Sequence, residues 1–288
     1  MSTFDTPTPI TVQLDMVMGD VQIQASDRTD SVVEVRPTNP SKKADVSAAE
    51  QTLVEYAADR LLIKVPKSWR SYSFLSMGPS VDIVIALPSG SRVQADAQWA
   101  SVGSDGPLGE CRIATGGSVR LDRTGPLRVH VSHGDVAVEQ VAGGAEVTTS
   151  SGQVRLGAVD GAATVKNSSG HCVIGEVTGE LRVSTASGDI SVARALADVT
   201  ARTAYGAVRI GEVNRGAVTL QTSYGTVDVA VREGVAAWLD LNSGHGRVHN
   251  SLTPSDAPDP SDDTVEIRAS TSYGEIAVRR AKPAKRLH

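Results

Sequence analysis

The 288-residue sequence predicts an all-β chain: a single-stranded β-helix, or β-solenoid, of roughly 18-residue coils, preceded by a strand-rich cap containing one short helix. Three observations predict it. Glycines recur at a nearly fixed period; the runs flanking each glycine alternate apolar and polar residues; and with only 3% aromatic residues the core must be filled by small β-branched and aliphatic side chains.

The period is carried by Gly134, Gly152, Gly170, Gly188, Gly206, Gly225, Gly246 and Gly274, at spacings of 18, 18, 18, 18, 19, 21 and 28. Gly116-Gly117 extends the series upstream with a one-residue irregularity, and Gly19 is an isolated early copy. The last and longest spacing holds an acidic, Pro-rich loop over 252–264 with Pro254, Pro258 and Pro260. In the unit starting at Val147, Val147 and Thr149 share one face, Gly152 permits a tight turn at positive φ, and Val154 and Leu156 face inward again with Arg155 outward. A second break follows at Asp160-Gly161 and recurs at Gly143, Gly179 and Gly216. A unit this short cannot bury enough apolar surface to fold alone, so the units must stack and share ladder hydrogen bonds. The hexapeptide type of 18-residue coil is disfavoured. Its apolar residues recur every six, whereas Val147, Val154, Val159 and Val165 are separated by 7, 5 and 6.

Residues 1–92 read as the cap, 93–279 as the coils and 280–288 as a basic tail. Within the cap, Ile10 to Met18, Val21 to Gln24, Val32 to Val35, Leu61 to Val65 and Val81 to Leu87 alternate like strands. Ser47-Ala-Ala-Glu50 reads as a capping box opening a helix that runs to about Ala58. Trp69, Tyr72 and Phe74 cluster between Pro66 and Pro79, as part of the seal or as a ligand-binding loop over Trp69 to Met77.

Charge and composition exclude several classes. The net charge is −5, and the last ten residues carry Arg279, Arg280, Lys282, Lys285 and Arg286, leaving the body at about −10. Such a body does not suit phosphate contacts, so no specific nucleic acid is expected; the tail has the charge to touch anionic surfaces. No run approaches the ~18 apolar residues of a membrane helix, and the first residues lack the basic and apolar regions of a signal peptide, so the expected compartment is the cytoplasm. The two cysteines fall in core slots, Cys172 lying 18 residues after Val154 and Cys111 alternating with Ile113. About three coils apart, they are beyond disulfide reach and read as inert core residues.

Catalytic signals are absent. The position after each turn glycine runs Asp135, Gln153, His171, Asp189, Ala207, Thr226, Arg247 and Glu275, with no sustained carboxylate pair. No nucleophile elbow, phosphate loop or dinucleotide fingerprint occurs, and the six histidines lack metal-ligand spacing, so no catalytic, cofactor or metal residue is assigned. The position before the glycine is more suggestive. It holds His133, Ser151, Ser169, Ser187, Tyr205, Tyr224, His245 and Tyr273, which in chain-order stacking form a column of polar-tipped rings on one edge. His133, Tyr205, Tyr224, His245 and Tyr273 are the candidate interaction residues, either recognising a partner or shielding the turn backbone.

The tandem Ser-x-Gly-x-Val-x-Val units, the stretch Val81-Asp-Ile-Val-Ile-Ala-Leu-Pro-Ser-Gly and the stretch Gly234-Val-Ala-Ala-Trp-Leu-Asp-Leu-Asn resemble the bacterial β-strand-repeat "putative adhesin" family, whose domain is called toastrack, in its soluble actinobacterial form. The resemblance spans about Asp15 to Val278. It implies a β-helix-like solenoid with roles in envelope-stress and surface systems, and it brings no catalytic residues. The function expected is a non-enzymatic interaction or scaffold module that binds a protein partner or itself. The alternatives are a carbohydrate-active β-helix enzyme, which requires acids and bases converging in one groove, a surface adhesin, and a stress-pathway sensor docking its partner on Tyr205, Tyr224 and Tyr273.

Overall fold

The computed structural model describes residues 1–66, 78–253 and 263–281, and contains twenty-five strands and one helix among them. The chain divides into two compact units, Met1–Ser151 and Gly152–His288. Each is a β-solenoid of parallel strands stacked in register.

In the first unit, Thr11–Ser26 lies parallel to Arg92–Pro107, with Thr11 opposite Arg92 and Gln24 opposite Asp105. Gly19, at φ +136°, bends the first of these strands where the later coils have their turn. Beyond Arg92–Pro107 the coils of Cys111–Thr115 with Val119–Thr124, and of Leu127–His133 with Val136–Val141, continue the parallel ladders. On its other side Thr11–Ser26 pairs with Arg60–Lys64 and Val81–Pro88, also parallel. There the pattern changes. Asp30–Pro37 lies antiparallel to Val81–Pro88, Ser2–Asp5 antiparallel to Asp30–Pro37, and Leu53–Ala57 antiparallel to Arg60–Lys64. The outermost strands at this end are only four and five residues long, which leaves little free ladder.

The helix differs from the sequence expectation. It occupies Lys43–Glu50 and ends where the capping box would have opened it; Leu53–Ala57 is a strand. The Ser47 hydroxyl accepts from the Gln51 side chain at 2.9 Å, so it is not a cap. The first turn instead carries Asp45, buried, which accepts from the Ser80 N–H and pairs with Lys42, each at 3.0 Å. Ala58 and Asp59, both at positive φ, form the two-residue turn of a hairpin, and this turn draws Leu53–Ala57 into the sheet. The aromatic cluster of Trp69, Tyr72 and Phe74 lies outside the described residues, as do most of the basic tail and residues 254–262 of the acidic loop.

The second unit repeats one pattern: a strand, a glycine turn, a second strand. Val154 sits beside Cys172, Cys172 beside Ile190, and Ile190 beside Val208, all buried, so the inward columns follow the sequence period. One feature departs from chain order. Gly216–Tyr224 pairs with Thr264–Tyr273, which in turn pairs with Ala236–His245. The last coil in sequence therefore fills the layer between the two before it, and the coil of Ala236–His245 and Val248–Asn250 is the end coil. The inward columns explain the choice. Val229, Val278 and Asn250 occupy equivalent slots, and the coil that would bury the asparagine takes the outside, while Val265, Ile267, Ala269, Ile276 and Val278 are buried.

Burial pushes the free thiol of Cys111 up to about 12 and that of Cys172 up to about 11. At pH 8 almost no thiolate is present, so a thiol reagent should leave both cysteines unlabelled in the native protein and label both in urea; labelling is followed by mass spectrometry. A backbone test uses two glycines. A Cβ on Gly206, at φ +149°, would lie 2.2 Å from the Gly188 carbonyl oxygen, whereas Gly234, at φ +82°, has nothing within 4 Å of such a Cβ. Gly206→Ala should cost ~3 kcal/mol or more in urea unfolding, from strain plus overlap. Gly234→Ala should cost about 1 kcal/mol, from the dihedral alone.

Candidate functional site

The ring column is built by the turn. Each turn glycine donates its N–H to the carbonyl of the residue before the glycine in the next layer. Thus Gly188 donates to Tyr205 (2.8 Å), Gly206 to Tyr224 (2.9 Å), Gly225 to Tyr273 (3.0 Å) and Gly274 to His245 (3.1 Å). Those bonds hold the backbones of the ring-bearing residues in one line, and the rings leave the turn toward solvent. A second ladder supports the turn from inside. The residue three before each glycine is Asn167, Thr185, Thr203, Thr222, Thr271 or Ser243, most of them buried. Thr203 donates to the Gly188 carbonyl at 3.1 Å, Thr222 to Gly206 at 2.9 Å, Thr271 to Gly225 at 3.0 Å and Ser243 to Gly274 at 2.9 Å. Asn167 does the same for Gly152 at 3.0 Å. This ladder was not singled out from the sequence, although its fixed offset from the glycine is a signal that would have found it.

The rings themselves stack. Tyr205 and Tyr224 have centroids 5.2 Å apart, Tyr224 and Tyr273 5.0 Å, and Tyr273 and His245 4.6 Å, with interplanar angles of 5°, 1° and 6°. The tyrosines are 60%, 49% and 48% exposed. Two corrections follow. Chain-order stacking would set His245 between Tyr224 and Tyr273, but the inserted coil puts Tyr273 there and leaves His245 as the terminal ring. His133 belongs to the first unit, where it stacks on Trp99 at 6.1 Å and 20°. Trp99, 55% exposed, was not foreseen because it lies before the regular glycine period begins.

In the layers leading up to Tyr205 a polar column also stitches neighbours together. The Asp189 N–H donates to His171 Nδ1 at 3.1 Å; the Ala207 N–H donates to Asp189 at 2.8 Å, and Arg209 to its other oxygen at 3.0 Å. The Ala207 N–H above all, with the Arg209 guanidinium, holds the Asp189 carboxyl below its ordinary range against a partial desolvation. A group whose pKa falls on folding stabilises the native state above its unfolded value and loses that contribution as pH drops through the folded one. The stability gap between the wild type and Asp189→Asn, read from urea midpoints, should therefore be full at neutral pH and close as pH falls below about 3.9.

The first unit carries a separate feature, an open groove of about 460 Å³ lined in part by Asp15, Asp96, Arg112, Arg128 and His130. Asp15 and Asp96 are register partners on adjacent parallel strands. Among the described residues, no three His, Cys, Asp or Glu side chains gather as a metal site. Nor is any described helix long and apolar enough to cross a membrane.

Parallel coils with stacked glycine turns and an exposed ladder of rings define a β-solenoid that carries its distinctive surface on one edge. Residues 175–288 match the family described as Toastrack DUF4097. No curated protein matches the chain. Solved structures to which it is similar include a "putative cell adhesion protein" of Clostridium sporogenes at 9% identity and TM-score 0.22, covering 97% of this chain and 98% of that one. Two others, each called a "putative adhesin", share 11% identity and cover 96% of this chain and 95% of theirs. They come from Bacteroides fragilis, with TM-score 0.32, and Parabacteroides distasonis, with TM-score 0.33.

Proposed function

We propose that the chain is a non-enzymatic interaction module that docks a protein partner on the ladder of Tyr205, Tyr224, Tyr273 and His245. The observation that carries this reading is the ladder itself: four parallel rings, with the three tyrosines about half exposed or more, on a rigid edge. Pre-stacked rings lose little side-chain freedom on binding and offer both apolar faces and phenol hydroxyls, the combination favoured at interface hot spots. Self-association through a free coil edge is the second part of the reading. Two unpaired, buried thiols are at home in a reducing compartment, so we take the module to work in the cytoplasm, with a role in envelope stress as its physiological setting.

The test is capture from lysate by the wild type and by a triple variant, Tyr205→Ser, Tyr224→Ser and Tyr273→Ser, followed by reconstitution of any differing protein from purified components. Partner binding should fall at least ~100-fold, as expected for the loss of several hot-spot rings, while the melting transition stays cooperative. Unchanged binding by a folded triple variant refutes the docking stripe.

The groove of the first unit favours one other reading, a carbohydrate-active site with Asp15 and Asp96 as its paired carboxylates. Oligosaccharide cleavage that disappears in Asp96→Asn would support it.

A further inference from the structure

The end coil of the second unit stops without a described neighbour. Ala236–His245 and Val248–Asn250 pair on one side with Thr264–Tyr273 and Ile276–Arg280, and no described strand lies on the other. Its inward column is correspondingly open. Leu239 and Leu241 continue the columns of buried Ile267 and Ala269 but are only half-buried, and Val248, beside fully buried Ile276, is 44% exposed. Trp238 is 58% exposed, with the Arg268 guanidinium 6.0 Å from its ring centre. A ten-residue edge strand ending an apolar core is a ladder awaiting a partner.

We propose that a second copy of this chain covers it, edge to edge about a two-fold axis, so that the end coils of two protomers close one continuous core. This rests on the self-association part of the reading above and is independent of the ring ladder.

Three observations favour a second copy over other occupants. First, the neighbouring segments of the chain are poor strands. Residues 254–262 contain Pro254, Pro258 and Pro260 with Asp256, Asp259 and Asp262, and the tail contains Pro283; proline has no N–H to give a ladder. Second, the strand is complementary to itself. In an antiparallel pair centred on Leu241, Leu241 meets Leu241, Leu239 meets Ser243, and the only charged residue of the strand, Asp240, meets Asn242. Trp238 then faces Gly244, which leaves room for the indole. The register centred on Asp240 would set two carboxylates against each other and is disfavoured. Third, the antiparallel edge of the first unit offers no equivalent surface, because its outermost strands are only four and five residues long. A head-to-tail fibre lacks a matching surface, so the assembly closes as an isologous dimer.

The experiment is sedimentation equilibrium of the full chain over a hundredfold concentration range, for the wild type, Leu241→Lys and the triple tyrosine variant. The wild type and the triple variant should both approach twice the 30.0 kDa chain mass and go no higher. Leu241→Lys, which places like charges at the two-fold centre, should weaken dimerisation on the order of tenfold or more while its circular dichroism and cooperative melting stay wild-type. A wild type that stays monomeric throughout overturns self-association altogether. A dimer indifferent to Leu241→Lys puts the contact elsewhere and overturns this surface alone, and mass growing beyond the dimer overturns the closed symmetry. Should Leu241→Lys fail to fold, Asp240→Asn supplies the second variant: it leaves the proposed register uncharged and should keep the dimer, whereas its loss overturns the proposal.

Discussion

The second unit depends on how closely one glycine turn lies against the next. A Cβ added at Gly170, Gly188, Gly206, Gly225, Gly274 or Gly246 would sit between 1.8 and 2.2 Å from the carbonyl oxygen of the preceding layer's glycine. Only a residue without a side chain allows that approach, and the approach brings the N–H of each turn to the carbonyl it needs in the next. The inner ladder of Thr, Asn and Ser exists for the same reason. A glycine carbonyl at a sharp corner needs a donor, and the hydroxyl three residues before the glycine of the next layer is the side chain that reaches it. Close turns, satisfied carbonyls and aligned rings are thus one arrangement seen from the outside, the inside and the edge.

This explains why so much of the architecture could be read from the sequence. The turn column, the inward faces around Val154, Cys172 and Ile190, and the alignment of Tyr205 with Tyr224 all follow from a period that the glycines cannot break. What could not be read is the order of the last two coils. Residues 236–250 and 264–280 carry the same strand, glycine, strand pattern, and either fits beside Gly216–Tyr224. The decision rests on small differences, Asn250 against Val278 and Leu241 against Ala269, which matter only once the two compete for one interior layer. The helix lies ahead of its apparent capping box for a related reason. Ser47 and Glu50 have the spacing of a cap, but the buried partners of Asp45 and the turn at Ala58-Asp59 belong to tertiary structure.

The ring ladder and the Asp189 column meet at the Gly206 layer and do different work. In the first, identical groups repeat and their value lies in the surface they present. In the second, His171, Asp189 and Arg209 differ, and each answers a backbone N–H or a charge in the next layer. Exposed ion pairs of this kind contribute little individually. Their geometry ties together the layers of Gly170, Gly188 and Gly206, the last of which carries the first stacked ring, Tyr205.

The inserted coil also sets an order of assembly. During synthesis the coil that ends the stack emerges first, and the strands that must lie beneath it emerge last. Until Thr264–Tyr273 and Ile276–Arg280 arrive, the layer above Gly216–Tyr224 lacks its native occupant and Ala236–His245 lacks its native partner. Completion resembles sliding a final book into a gap on a shelf: closing contacts such as Gly225 with Tyr273 span 48 residues, where the regular layers span about 18. The stack thus gains its last two layers together, in one late and non-local step whose loop-closure cost its other layers never meet.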